Sequence, residues 1–135
     1  YRHKPIAISG FYKYQPGKDF TDKTNTVLPN ERDTFDIYAV MYESTKDVPY
    51  LDGTNIKTHP NIVMMAQIKE RKATDQWTRF VMPFESVEGR TLDPEKLRSG
   101  KYNLAIVMSS SQGGAFFRGA VGSTLWVDEM QLFHE

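Results

Sequence analysis

The fold class is indicated most clearly by VMSSSQGGAFFRGAVGSTLWVDEMQLF, residues 107–133. It contains the end of an apolar strand, a loop rich in glycine and serine with two adjacent phenylalanines, and a closing strand. This succession is typical of an all-β protein. A phosphate-binding loop is excluded, because Gly119 is followed by Ala120 and the segment leads into a strand instead of a helix.

The closing strand changes phase at its centre. Its apolar residues fall on two parities, in the pairs Leu125 with Val127 and Met130 with Leu132. One extra residue at Asp128 or Glu129 would return all four side chains to one face. The pattern therefore predicts a β-bulge at this point of the strand.

Length and charge narrow the class of protein. The chain has 135 residues, and we expect a single domain over residues 1–135. With 17 basic and 17 acidic residues its formal charge is zero, so nothing favours nucleic acid as a partner. The absence of cysteine excludes a disulfide framework, a thiolate metal site and a cysteine nucleophile.

The first residue is Tyr1, and no apolar run approaches the ~20 residues that span a bilayer. We therefore expect no transmembrane segment in this sequence. We expect a piece of a longer protein, with any signal peptide or anchor lying upstream.

Further strands are predicted by runs of apolar and β-branched residues over 4–14, 34–44, 62–70, 77–86 and 101–110. We expect residues 101–110 to form a core strand. The polar segment 15–33 predicts a long loop that is held only at Phe20 and Val27. About seven strands separated by turn signals predict a two-sheet antiparallel β-sandwich, with a jelly-roll topology.

One short helical turn is predicted near residues 93–99. Thr91 or Asp93 is placed to cap it, Pro94 stands at its first position, and Gly100 follows its end. We expect a turn or two of helix.

Catalytic arrangements find little support. Residues 109–111 are serines without a G-x-S-x-G context, and we interpret them as hydrogen-bonding turn residues. The histidines lack the spacing of a zinc helix, and we interpret His3, His59 and His134 as surface residues. A glycosidase would need two carboxylates about 5 to 10 Å apart. The candidates are Asp33, Asp36, Glu43, Glu70, Glu85, Asp128 and Glu129. We assign no catalytic residue and favour a noncatalytic role.

Asp128 supports two interpretations. A carboxylate at a bulge near turn-rich backbone is a candidate ligand for a structural Ca²⁺ ion, which prefers oxygen ligands. Alternatively, Asp128 accepts hydrogen bonds from the irregular backbone of the bulge, which is the interpretation we favour. We expect no required cofactor, and a structural Ca²⁺ ion is the one candidate.

Aromatic residues are the stronger indication of a binding site, because sugars lay their C–H faces on aromatic rings while polar groups take their hydroxyls. Trp126 has the parity opposite to Leu125 and Val127, so we expect it to point away from the core. The adjacent Phe116 and Phe117 cannot both be buried in an extended segment. Four tyrosines would form a neighbouring platform if their strands pair: Tyr12, Tyr14, Tyr38 and Tyr42. We expect Trp77, beside Phe80 and Phe84, to be a core residue.

The succession GFYKYQPG (10–17), DIYAVMYE (36–43), WTRFVMPFE (77–85) and KYNLAIVMSSSQGGAFFRGAVGSTLWVDEMQL (101–132) resembles the PCMD family, the putative carbohydrate metabolism domain. The resemblance covers nearly the whole chain and is most specific in SSS, GAxxxGAVGS and LWVDE. It implies a C-terminal jelly-roll module of an exported bacterial protein that handles glycans. It also implies a periplasmic or outer-membrane location through an upstream signal or lipid anchor. It brings no catalytic residue with it.

Three functions follow as hypotheses. The first is a noncatalytic module that binds a polysaccharide or oligosaccharide through exposed aromatic residues. The second is a structural sandwich that packs against an upstream domain of the same protein or another partner. The third, which we favour least, is a glycoside hydrolase.

Overall fold

The computed structural model describes residues 1–135. Nine strands and one α-helix follow each other along the chain: β1 (Pro5–Gln15), β2 (Phe20–Thr21), β3 (Asp36–Glu43), β4 (Ile62–Gln67), β5 (Thr74–Pro83), β6 (Glu85–Ser86), α1 (Pro94–Arg98), β7 (Tyr102–Ser109), β8 (Gly119–Ala120) and β9 (Thr124–His134). The helix is too short to cross a membrane.

The strands form two sheets that pack against each other. One has three strands in the order β5-β1-β9, and the other has four in the order β6-β4-β3-β7. A small ribbon pairs β2 with β8. All pairings are antiparallel. The two-sheet antiparallel β-sandwich is confirmed, whereas the jelly-roll topology stays a prediction.

The main core lies between the sheets. It is built by inward residues of both, namely Ile8, Tyr12, Tyr14, Phe35, Ile37, Ala39, Ala66, Ile68, Phe80 and Met82. Burial of each large apolar side chain contributes about 1.5–3 kcal/mol. This core fixes which face of each strand points outward, because successive side chains of a strand alternate.

The predicted bulge of β9 is confirmed. Ser9 pairs with Gln131, but Phe11 pairs with Asp128, so two residues of β9 oppose the single Gly10 of β1. Glu129 adopts a left-handed conformation at φ 52°. As expected, four residues around the bulge all pack against the core: Leu125, Val127, Met130 and Leu132.

Gly10 lies opposite the bulge with its inner side tightly covered. A Cβ atom there would stand 2.8 Å from Met130 Sδ and 2.9 Å from Phe80 Cζ, closer than real side chains approach. The absence of a side chain at Gly10 therefore leaves room for the side chains of Met130 and Phe80 on the inner face of the sheet.

Two smaller predictions are also confirmed. Helix α1 begins after Asp93, whose Oδ1 accepts hydrogen bonds from the backbone N–H groups of Glu95 and Lys96. The two predicted contact points of the long loop after β1 are present, since Phe20 begins β2 and Val27 forms an isolated bridge with Thr21. The prediction that the loop is held only there is wrong, because Gly17 N–H donates to Ser123 Oγ and Asp33 is buried among hydrogen-bond donors.

The expectation for β7 is wrong. Residues 102–109 do form a strand, but it is an edge strand of the four-stranded sheet. Ile106 and Met108 point to the inner side and are nevertheless 42% and 48% exposed. An apolar run predicts a strand, but it does not indicate whether a second sheet extends far enough to cover it.

Candidate functional site

The outer face of the three-stranded sheet carries the best candidate site. Its outward residues are Phe11 and Lys13 of β1, Trp77 and Arg79 of β5, and Trp126 and Asp128 of β9. No loop covers the indoles, and Trp77 is 48% and Trp126 42% exposed. We call this surface, centred on Phe11, Lys13, Trp77 and Trp126, the aromatic face.

The two tryptophans stand on opposite sides of the central strand. Lys13 pairs with Trp126 in the sheet register. The Lys13 ammonium lies 4.6 Å from the Trp77 ring centroid and 5.6 Å from the Trp126 ring centroid, which is cation–π geometry. The two indoles belong to β5 and β9, which lie on either side of β1. Adjacent strands are about 4.8 Å apart, so β5 and β9 are about 10 Å apart. The row is therefore long enough to contact more than one ring of an extended ligand.

A hollow beside this row combines aromatic and acidic groups. Four residues, Phe11, Trp77, Asp128 and Glu129, line a volume of about 340 Å³. Asp128 points outward by the same alternation as Trp126, whereas Glu129 reaches the hollow because the bulge in β9 changes the direction of its side chain. Asp128 Oδ1 accepts a hydrogen bond from the Glu129 backbone N–H over 2.8 Å, and its second oxygen has no partner within the protein. That oxygen is available to a ligand hydroxyl.

The sequence interpretation is right for Trp126 and wrong for Trp77. Trp126 points away from the core, as its parity predicted. Trp77 was expected in the core beside Phe80, but the two residues are three positions apart and therefore lie on opposite faces of β5. Phe80 and Met82 point inward, whereas Trp77 points outward. A strict parity count over β5 would have found this residue.

The expected platform of four tyrosines does not form. Tyr12 and Tyr14 are buried between the sheets, whereas Tyr38 and Tyr42 are buried on the outer side of the four-stranded sheet. The reason is that β1 and β3 belong to different sheets and do not pair. Burial raises the pKa of Tyr12, Tyr14 and Tyr38 above its ordinary value.

Phe116 and Phe117 are both exposed. Phe116 closes a 3-10 turn that begins at Gly114, and Phe117 follows in a left-handed conformation at φ 58°. The two rings line different clefts, and neither belongs to the hollow at Asp128. The structure therefore does not bring them together with Trp77 in one pocket.

The SSS and GAVGS motifs are held together by a buried carboxylate. Asp33 Oδ2 accepts hydrogen bonds from Ser111 Oγ at 2.5 Å, Ser123 Oγ at 2.6 Å and the Ala120 N–H at 3.0 Å. Ser109 also donates to the Ser111 carbonyl within the turn. The serines are turn residues, as predicted, and Asp33 has a structural role in the crossover to β8 and β9.

The remaining acidic candidates are dispersed. Glu43 pairs with Lys96, Glu85 lies 3.8 Å from Lys69, and Asp36 is buried in an ion-pair cluster. No group of three or more histidine and acidic side chains suited to a metal ion occurs in the structure. The hydrogen bond at Asp128 is the one expected from its structural interpretation.

Comparison with known protein families decides the relationship of the chain. A family model matches residues 1–133, and its description is PCMD, "Putative carbohydrate metabolism domain". The chain belongs to the PCMD family. This confirms the resemblance inferred from the motifs and associates this PCMD domain with carbohydrate metabolism. No curated protein matches the chain in sequence.

Two crystal structures are similar over the whole PCMD domain. One is described as a "putative glycoside hydrolase" from Bacteroides thetaiotaomicron, with 48% identity, a TM-score of 0.96 and coverage of 39% of that protein. The other carries the same description and comes from Bacteroides vulgatus, with 42% identity, a TM-score of 0.90 and coverage of 54%. Both cover 100% of this chain, which thus spans about two-fifths and about half of their lengths.

Proposed function

We propose that this PCMD domain is a noncatalytic module that binds polysaccharide or oligosaccharide through the aromatic face. The observation that carries the proposal is the exposed pair of tryptophans on either side of Lys13, next to a hollow with two carboxylates. Indole rings stack on the C–H faces of sugars, and carboxylates and an ammonium hydrogen-bond their hydroxyls. The membership in a carbohydrate-associated family supports the same ligand class.

A noncatalytic role agrees with how the acidic residues are used. The most buried carboxylates, Asp33 and Asp36, are engaged by several donors within the protein. The description of the two longer Bacteroides proteins concerns chains of which this domain spans 39% and 54%. We propose that any hydrolysis belongs to other parts of such proteins.

The proposal is tested with a glycan array, followed by affinity electrophoresis in the polysaccharides that score. Trp77→Ala and Trp126→Ala should each remove most of the retardation seen with the unchanged domain. Val81→Ala is the matched control, because Val81 is exposed on the same face of β5 but outside the hollow. A blank array, or retardation that survives both tryptophan substitutions, would reject the aromatic face as the binding site.

The same array also tests whether glycan binding depends on a Ca²⁺ ion. We propose Asp128 as the residue to examine, since one of its carboxylate oxygens is unpaired at the bulge. Screening in calcium and in a chelator separates the two interpretations of Asp128. Binding that requires calcium and is lost in Asp128→Asn would support a calcium ligand, whereas equal binding in both conditions supports the structural interpretation.

We also propose an exported location, at the periplasmic side or the outer-membrane surface, through an upstream signal or lipid anchor. The support is functional, because polysaccharides are encountered outside the cytoplasm. Cell fractionation of the full-length protein carrying an epitope tag tests this, and recovery in the cytoplasmic fraction would contradict it.

A second candidate function is packing against an upstream domain of the same protein. Ile106 and Met108 favour it, because these inward residues of β7 are about half exposed at the open side of the sandwich. Such apolar groups at an edge are typical of interaction sites. Protection of β7 from hydrogen exchange in the full-length protein, compared with the isolated domain, would support this contact.

A further inference from the structure

A second cleft lies on the outer side of the four-stranded sheet. It has a volume of about 470 Å³, within the range of small-molecule sites, and it is bounded by the segment before β4 and the loop after β7. Its lining includes the ring of Tyr38, the ammonium of Lys57, the polar groups of Ser109 and Gln112, and the ring of Phe116. The aromatic face belongs to the opposite sheet, so this cleft is a separate site.

A buried carboxylate with two cations lies at the edge of the cleft. The Asp36 side chain is 2% exposed, forms an ion pair with Lys57, and accepts a hydrogen bond from Arg71 Nη2 at 3.1 Å. Gln67 Nε2 donates to the same carboxylate. Neither Lys57 nor Arg71 has another carboxylate within 4.0 Å. The cluster therefore carries one more positive than negative charge.

The excess charge is presented to the cleft by Lys57. Its ammonium lies 4.5 Å from the Tyr38 ring centroid, which holds the side chain in place. An ammonium has three N–H donors, and Asp36 takes only one of them. Two N–H donors of Lys57 are therefore left for a ligand in the cleft. A site with an excess positive charge and free donors is suited to an anion.

We propose that this cleft binds an acidic sugar, a uronate residue, whose carboxylate pairs with Lys57. The Phe116 ring is 60% exposed and offers a surface for the sugar ring, while Ser109 and Gln112 offer polar partners for hydroxyls. The hydrogen bond between a carboxylate and an ammonium is stronger than a hydrogen bond between neutral groups. The charge of Lys57 thus selects the acidic sugar over its neutral counterpart.

Isothermal titration calorimetry of the domain tests this with galacturonate and glucuronate. Galactose and glucose are the neutral probes, since they keep the ring and lack the carboxylate. We expect at least one uronate to bind, with an affinity roughly tenfold or more above its neutral counterpart. Lys57→Gln should reduce that affinity by roughly tenfold or more, because it removes the charge.

Two further variants keep the test decisive if Lys57→Gln unfolds the domain. Phe116→Ala and Gln112→Ala alter exposed or partly exposed positions at the mouth of the cleft, so the fold is retained, and each should weaken uronate binding several-fold. Trp77→Ala should leave uronate affinity unchanged, which separates this site from the aromatic face. The proposal is overturned if neither uronate binds, if neutral sugars bind equally well, or if Trp77→Ala alone abolishes binding.

Discussion

The two outer faces of the sandwich carry comparable aromatic residues and differ in what covers them. On the four-stranded sheet, Tyr38 and Tyr42 are buried beneath the segment before β4, whose Ile56 packs against them. On the three-stranded sheet, Trp77 and Trp126 have no such cover and remain about half exposed.

The difference shows that a loop, not the strand pattern, decides what an outward aromatic residue does. A covered ring contributes apolar burial and so stabilises the fold. An uncovered ring with polar neighbours is available to a ligand. Substitutions on the two faces should therefore have opposite profiles, with losses of stability on the covered face and losses of binding on the bare face.

The largest stability effect is expected on the covered face. Tyr42→Ala removes a buried ring and leaves a cavity between β3 and Ile56, so we expect a loss of about 3 kcal/mol. Urea denaturation measures this loss. Tyr50→Ala is the control, because Tyr50 is exposed on the covering segment, and it should leave the midpoint nearly unchanged. Equal effects of the two substitutions would mean that the covering segment does not bury Tyr42 in solution.

A smaller loss of stability is expected at alkaline pH, because the buried tyrosines ionise there. Burial raises the folded-state pKa of Tyr12, Tyr14 and Tyr38 above the unfolded value of about 10. The resulting stability is fully present below pH about 10 and is lost as the pH rises through the folded-state pKa. Thermal unfolding between neutral and alkaline pH, with tyrosinate absorbance recorded in parallel, measures this dependence. Complete ionisation of all tyrosines near pH 10 without any loss of stability would contradict it.

The smallest stability effect is expected on the bare face. Trp77→Ala and Trp126→Ala should each cost about 1 kcal/mol or less, because the indoles lie on the surface of the sheet and outside the core. The same urea experiment measures both variants. A loss as large as that of Tyr42→Ala would show that these indoles stabilise the fold and would weaken their assignment to binding.

Period-2 alternation predicted more of the site than composition did. It correctly placed Trp126 outside the core and allowed the bulge at Asp128 or Glu129, of which the structure shows it at Glu129. The same rule, applied strictly to β5, would have placed Trp77 correctly as well. Parity is a local property of a strand, so it is readable from the residues alone.

Other features depended on contacts between distant segments. Because β1 and β3 belong to different sheets, the four tyrosines do not share a platform. The limited extent of the three-stranded sheet left Ile106 exposed on β7. The donors that surround Asp33 come from residues 78, 87 and 90 positions further along the chain. No local pattern encodes such distances.

Binding of glycan to the aromatic face can be followed by the intrinsic fluorescence of the domain. The chain has two tryptophans, and both lie on this face. A panel of soluble polysaccharides, comprising a mixed-linkage β-glucan, an arabinoxylan, a galactomannan and an α-glucan, is titrated into the domain with acrylamide as quencher. We expect a blue shift and reduced quenching with at least one polysaccharide that retards the domain in electrophoresis. Retardation without any change in emission or quenching would contradict it, because the ligand would then bind away from both indoles.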